Sequence, residues 1–319
     1  MPKKILLSIP AKNEESTLEK VIEDATSELK KCNFEEILVL VVDDGSTDNT
    51  KQIAEKSGAY VIHHKKSKGL GVAFSRAIEY ALEKDADIVL TIDADNQFRA
   101  EDIPNILSPL LSKKADFVTG SRFLKDSKVS GIPFAKRIGN RLMSELISSI
   151  LKEEFKDVSC GFRAYNKEAL HHLNLFGKFT YTQEVFINLA AKDFRIYEVP
   201  ITVEYFKERT SRIASSLLRY GLQTSRIIFS SVIHYAPMRL FGGFAIITFL
   251  LGFPPVLILG IRYVLTDMIT PFKGIAISGI VLLVVSFASF TSGLVLQILS
   301  RLQLSIEKNI YYARKNSRK

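Results

Sequence analysis

The chain has 319 residues, 47% of them hydrophobic, and a formal net charge of +9. Its two cysteines, Cys32 and Cys160, exclude a disulfide framework and a zinc-ligand spacing, and they point to a reducing compartment. The positive charge suits an acidic partner; because apolar and basic residues gather near the C-terminus, anionic lipid explains it better than nucleic acid.

Strand and helix signals alternate along the first 120 residues. Ile5–Ile9 predicts a buried strand, and this run is too short for a signal-peptide core. Glu14–Lys31 predicts a helix with Leu18, Val21, Ile22, Ala25 and Leu29 on its apolar face. Ile37–Val42 predicts a second strand, Thr47–Gly58 a short helix and Ala59–His63 a third strand. Gly71–Glu83 follows as a helix, Ile88–Ile92 as a fourth strand, Ala100–Leu111 as a helix and Asp116–Thr119 as a fifth strand. Such alternation predicts an α/β fold: a Rossmann-like, mostly parallel sheet with helices on both faces and ligands at the carboxyl ends of its strands. Residues 121–210 are mixed, with a helix over 134–152 and strand signals over Arg195–Val203.

From Ser211 to Leu240 the pattern is amphipathic, with Arg212, Arg219 and Arg226 recurring on one face, as in a membrane-surface helix. Phe241–Ile261 and Ile275–Leu299 contain no charged residue. Each is long enough to cross a bilayer core, which takes about 20 residues. The short connector Arg262–Gly274 makes them a transmembrane hairpin. Arg314, Lys315, Arg318 and Lys319 make the tail basic, and the positive-inside rule places the tail and the N-terminal domain in the cytoplasm. The expected division is therefore a catalytic domain over 1–210, amphipathic helices over 211–240, a hairpin over 241–299 and a basic tail over 300–319. The expected location is a multi-pass position in the cell membrane or an endomembrane.

The chemistry concentrates at strand ends. In Thr91-Ile92-Asp93-Ala94-Asp95-Asn96-Gln97, two carboxylates one residue apart can share a side as the strand ends. With the amide oxygen of Gln97 they make a hard oxygen site for Mg²⁺ or Mn²⁺, of the kind that holds a phosphate substrate through the metal. Taken alone, a D-x-D is better explained as a solvated acidic turn; the rest of the chain reverses that balance. The run Val41 to Asp48 ends a strand in acids that can accept from a base or a ribose, or can simply form a turn. Pro10 ends the first strand, and Asn13-Glu14-Glu15 suits a helix start. The loop Gly69-Leu70-Gly71, flanked by Lys68, lets backbone approach phosphate, although a plain turn accounts for a bare G-x-G.

In order, I-P-A-x-N-E-E, V-D-D-G-S-x-D-x-T, K-x-x-G-L-G, D-A-D-x-Q, T-G-S-R and C-G-F-R-A-Y resemble the family 2 glycosyltransferases of the GT-A fold. Within that family the resemblance is to polyprenyl-phosphate glycosyltransferases of the dolichol-phosphate mannose synthase type, and it covers residues 5 to about 212. It implies a nucleotide-sugar donor, a dolichyl or polyprenyl phosphate acceptor in the bilayer, and Mg²⁺ or Mn²⁺ as cofactor. Pro10, Ala11, Asn13, Glu14, Asp43, Asp44, Lys68, Gly69, Asp93 and Ala94 would lie around the donor nucleotide. Asp93, Asp95 and Gln97 would hold the metal, with Asp95 nearest the diphosphate. Arg122 and Arg163 would bind phosphate of donor or acceptor and share the catalytic role with Asp95 and Glu184. Gln183-Glu184 matches the acidic motif facing the sugar. Arg209, Ser211 and Arg212 match a late basic, acceptor-binding motif, compressed here and lacking its glycine. For the arginines, salt bridging is the alternative.

The resemblance implies hexose transfer with inversion, GDP-mannose being the favoured donor and UDP-glucose the next. A phosphate monoester is largely dianionic at neutral pH, its second pKa being about 6, so no dedicated base is expected. A processive polysaccharide synthase is disfavoured because its Q-x-x-R-W motif needs a tryptophan and the chain has none. A nucleotidyltransferase is disfavoured by the lack of a glycine-rich N-terminal run carrying Arg and Lys. A family 2 enzyme with another acceptor, or a non-catalytic membrane scaffold that binds a sugar nucleotide, remains a competing reading, and a homo-oligomer is compatible with the sequence.

Overall fold

The computed structural model describes residues 3–173, 175, 181–205, 229–230, 232–233, 237–270 and 273–316. The expected amphipathic helix over 211–240 therefore lies almost wholly outside the described residues, as do Arg209, Ser211 and Arg212.

The chain divides into two compact units, residues 1–228 and 229–319. The first is built on a seven-stranded sheet of order β3-β2-β1-β4-β7-β5-β8. Its strands are β1 (Lys4–Ala11), β2 (Glu36–Asp43), β3 (Tyr60–His63), β4 (Ile88–Thr91), β5 (Phe117–Ser121), β7 (Arg163–Asn166) and β8 (Ile196–Pro200). All neighbours run parallel except β7, which lies antiparallel between β4 and β5. This is the mostly parallel arrangement that the alternation predicts, and it is GT-A-like, as the resemblance implies. Two short strands, β6 (Lys128–Ser130) and β9 (Thr202–Glu204), pair separately. The single strand signal over Arg195–Val203 is thus two strands in two sheets. Pro200 ends the first because it has no N–H for a further ladder bond.

Helices cover both faces. On one, α1 (Leu18–Lys31) and α4 (Ile103–Leu111) pack Leu18, Val21, Ile22, Ile106 and Leu107 against Ile5, Leu7, Ile9 and Leu90. On the other, α3 (Leu70–Glu83) and α7 (Thr182–Ala190) meet the sheet through aromatic rings. Phe74 of α3 lies 5.4 Å from Tyr165 of β7 between centroids, and Phe186 of α7 lies 5.3 Å from Phe117 of β5. With both faces covered, every residue of β4 and β5 is buried, and β4 opens on the apolar run Ile88-Val89-Leu90. The short α2 (Thr50–Lys56) and α6 (Lys167–His172) complete this layer order.

Helix α5 (Phe134–Leu151) buries polar side chains alongside Ile147. Asn140 and Ser144 are buried, and the Ser144 hydroxyl accepts from Val158 N–H at 3.2 Å. Ser148 Oγ accepts from Phe155 N–H at 2.9 Å. The opposite stripe, four residues apart, is apolar and faces outward: Phe134, Ile138, Leu142 and Leu146 are 77%, 43%, 60% and 47% exposed.

The second unit is an antiparallel pair, α8 (Pro237–Thr266) and α9 (Lys273–Asn316). Both carry a window apolar enough to cross a membrane, and over four-fifths of the first window faces away from protein. The helices exceed the uncharged spans of the sequence, because α8 runs past Arg262 and α9 carries the basic tail as far as Asn316. They touch through small residues. A Cβ on Gly252 would lie 2.8 Å from Gly279 O, and one on Gly279 would lie 2.7 Å from Gly252 O. Ser286 and Ser289 hydroxyls donate to Ala245 O and Phe241 O at 2.7 and 2.8 Å. Such contacts hold helices together where lipid supplies no hydrophobic drive.

Candidate active site

The strand order reverses between β1 and β4, and in a parallel sheet the crevice beyond that point is where ligands bind. The β1 and β4 ends supply Pro10–Glu14 and Asp93–Gln97 to this crevice, and β2 supplies Asp43 and Asp44 beside it.

The β1 and β2 loops are stitched together. Asn13, at φ 51°, donates its N–H to Ser46 Oγ and accepts from Thr47 N–H through Oδ1, both at 2.8 Å. Glu14 N–H donates to Thr50 Oγ1 at 2.8 Å. Asp43 is buried and accepts from Ser46 N–H at 2.9 Å, with His63 Nδ1 at 2.8 Å from its other oxygen. Asp44 gathers the following loop: Ser67 Oγ, Lys68 N–H and Gly69 N–H donate to it at 2.6, 2.8 and 3.0 Å, and His64 Nδ1 lies 2.9 Å away. These four contacts fill the acceptor capacity of a carboxylate. Burial would raise the Asp44 carboxyl, but these hydrogen bonds outweigh it and hold it down at about 2. Asp44, Lys68 and Gly69 therefore meet one another, and what reaches the crevice is the loop they shape. Gly45, at φ 75°, is required there, since a Cβ would lie 2.7 Å from Ser67 N.

At the end of β4, Asp93 and Asp95 are half-buried and Ala94 is buried. Asp95 Oδ1 accepts from Gln97 N–H at 3.1 Å around Asn96, whose φ is 57°. Gln97 O accepts from Glu204 N–H at 3.0 Å, which ties this turn to β9. Burial pushes the Asp93 carboxyl well above the usual carboxylate range, and the charge of Asp95 adds to it; Lys136, Arg122 and Arg163 pull the other way. Two like charges held together in this way are relieved by a divalent cation. Among the described residues no cluster of three His, Cys, Asp or Glu exists; the donor set expected from the sequence is the two carboxylates of Asp93 and Asp95 with the Gln97 amide. That set fits Mg²⁺ or Mn²⁺, which commonly keep one or two carboxylates and take further oxygens from substrate phosphate and water.

The arginines are placed otherwise than the sequence predicts. Arg163 is fully buried. Its Nε donates to Cys160 O at 2.6 Å, Nη1 to Thr182 O and Nη2 to Val158 O, both at 2.9 Å. The guanidinium lies 5.2–5.6 Å from the rings of Phe117, Tyr181 and Phe186. The resemblance implies a phosphate contact for Arg163; here its fork grips carbonyls within an aromatic box. Arg122 is buried as well, with Nε and Nη2 on the two oxygens of Asp157 at 2.6 and 2.7 Å and Nη1 on Tyr205 OH at 2.9 Å. The bidentate partner expected to be phosphate is a carboxylate of the chain itself. The buried amide of Gln183 bonds Ser159 Oγ at 3.2 Å and Thr182 Oγ1 at 2.8 Å. Glu184 is buried in the first turn of α7.

Lys136 has no motif to mark it. From α5 its ammonium lies 4.6 Å over the Tyr205 ring. Burial and then Arg122 push its pKa down, while Asp95 and Asp93 pull it up, so it joins Arg122 and Arg163 among the cations that act on the acid pair. Gly161 stands inside C-G-F-R-A-Y, where the motif assigns it no role: a Cβ there would lie 2.8 Å from both carboxylate oxygens of Asp93.

Comparison with known proteins agrees with this architecture. The chain is 30% identical over 240 residues to the UDP-N-acetylglucosamine–dolichyl-phosphate N-acetylglucosaminyltransferase of Methanococcus voltae, covering 69% of this chain and 93% of that protein. It is 31% identical over 207 residues to the dolichol-phosphate mannosyltransferase of Pyrococcus furiosus, covering 62% of this chain and 56% of that one. Among solved structures, glucosyl-3-phosphoglycerate synthase of Mycobacterium tuberculosis, in complex with Mn²⁺, UDP and glucosyl-3-phosphoglycerate, superposes with a TM-score of 0.56 at 22% identity. That match covers 72% of this chain and 79% of the other, and it shows the shared fold. The model of glycosyl transferase family 2 matches residues 7–173, the segment from β1 to the end of α6 that carries the acid pair, and the chain belongs to that family.

Proposed function

We propose that the chain transfers a hexose from a nucleotide-diphosphate sugar to a polyprenyl phosphate in the bilayer, with inversion at the anomeric carbon. The carrying observation is the pair Asp93 and Asp95 at the β1/β4 crevice, with Lys136 as a nearby cation. Asp93 and Asp95, with Gln97, would hold Mg²⁺ or Mn²⁺, which when bound neutralises charge on the donor diphosphate as the sugar–oxygen bond breaks. The β1–β2 stitch and the Asp44-bound loop shape the wall for the nucleotide, and backbone N–H groups there can approach its oxygens. Lys136 adds positive charge for a phosphate, and fixed charges of this kind need no reorganisation during transfer. The acceptor phosphate attacks as its own dianion, so Glu184, buried in α7, is assigned no proton transfer.

The lipid acceptor is supported by three features: the polyprenyl-phosphate relatives, the apolar pair α8 and α9, and the outward apolar stripe of α5. In this reading α5 rests on the membrane surface, and the basic residues beyond Arg301 put the catalytic unit on the cytoplasmic side. GDP-mannose is the first donor to try and UDP-linked hexoses the next. The test is a panel of radiolabelled nucleotide sugars with polyprenyl phosphate in vesicles, followed by extraction into organic solvent. One donor should label the lipid. Nucleotide binding without labelled lipid from any donor would favour the scaffold reading.

A further inference from the structure

On its way into β7 the chain passes directly behind the acid pair. Thr91, two residues before Asp93 on β4, donates its hydroxyl to Gly161 O at 2.9 Å. A Cβ built on Gly161 would stand 2.8 Å from each Asp93 oxygen and 3.1 Å from the carboxylate carbon, closer than a side chain tolerates. The Asp93 carboxylate therefore meets Gly161 end-on, with both oxygens directed at the space a β-carbon would fill. Gly161 is not among the residues with positive φ, so space, not backbone freedom, is what requires glycine. Nor can this backbone retreat. Arg163 holds Val158 O and Cys160 O on one side and Thr182 O on the other, and Arg163 is itself paired with Thr91 in the β4–β7 ladder.

We propose that Gly161 is a positioning residue for the metal site: a rigid stop, pinned by Thr91, that fixes the orientation of the Asp93 carboxylate. This rests on the reading of Asp93 and Asp95 as metal ligands. A β-carbon at 161 turns the carboxylate away while leaving both ligands in the sequence. Groups that orient a metal ligand typically change affinity by roughly 10–100-fold when altered.

The experiment is Mn²⁺ binding to the full chain in detergent, read from the free-ion electron paramagnetic resonance signal, with thermal midpoints measured alongside. Gly161→Ala should weaken Mn²⁺ by roughly tenfold or more. Thr91→Val, nearly isosteric, should weaken it by a smaller factor, and it decides the matter if Gly161→Ala does not fold. Gly139→Ala, in open space on α5, should bind like the wild type. A purely structural role for Gly161 would lower the thermal midpoint and leave Mn²⁺ affinity unchanged, and that result overturns the proposal alone. Wild-type protein that binds no Mn²⁺, or an Asp95→Asn variant that binds it normally, overturns the metal reading and this proposal with it.

Discussion

Replacing Arg163 by lysine separates the role seen in the structure from the role that its motif suggests. Arginine here makes three hydrogen bonds to carbonyls of Cys160, Val158 and Thr182 from a fully buried position. Hydrogen bonds to a charged group contribute about 1.5–3 kcal/mol each, and a buried carbonyl left unpaired costs about 1–3 kcal/mol. Lysine keeps the charge but not the fork, and from one ammonium it cannot reach three carbonyls that a planar group spans. At least one carbonyl is orphaned and part of the contact with the Phe117, Tyr181 and Phe186 rings is lost, so Arg163→Lys should cost about 2–5 kcal/mol. For a domain of this size each kcal/mol lowers the thermal midpoint by about 2–4 °C, so the fall should be roughly 5–15 °C. Calorimetry of the full chain in detergent reads it. An unchanged midpoint together with lost turnover would refute the structural assignment and return Arg163 to the phosphate.

Asp95→Asn should remove most turnover, and Asp93→Asn should do so more mildly; chelator should abolish transfer and Mg²⁺ or Mn²⁺ restore it, so full activity in chelator would contradict the metal reading. Asp44 titrates at about 2 in the folded chain against 3.8 ordinarily. A carboxyl depressed on folding stabilises above its unfolded pKa, and the gain fades as pH falls from about 4 to about 2. After solvent screening it is worth about 1–2 kcal/mol, so the thermal midpoints of wild type and Asp44→Asn should differ at pH 6 and converge near pH 2. A constant gap would mean that Asp44 is not the titrating group. Because the chain has no tryptophan, Leu142→Trp on α5 makes a single-tryptophan reporter, and brominated lipid should quench it in vesicles while Tyr60→Trp at the edge strand β3 stays bright. Equal quenching of both would remove α5 from the membrane surface.

The parallel half of the sheet is legible in the sequence because β1, β2 and β4 are buried on both faces and read as unbroken apolar runs. Strand β7 is not, since four residues bounded by Arg163 and Asn166 carry no period, and its antiparallel insertion is decided by the sheet around it. The acid pair is legible from local spacing. The fates of the two arginines are not, because a buried guanidinium depends on partners such as Asp157 and Thr182, distant along the chain. The four-residue spacings of Lys136, Asn140, Ser144 and Ser148, and of Phe134, Ile138, Leu142 and Leu146, are both present in the sequence. Which stripe turns inward is settled only by Val158 and Phe155, whose N–H groups need the serine hydroxyls.

The crossing of α8 and α9 constrains the lipid itself. Where Gly252 meets Gly279 the two backbones are in van der Waals contact, and even a methyl group has no room between them. An isoprenoid tail is far wider than a methyl group, so it cannot thread the hairpin at that depth. In the proposed reaction a long-chain acceptor that meets the pair would therefore run along its outside, in contact with ordinary lipid. Chain length beyond the first few isoprene units should then have little influence on how fast product leaves.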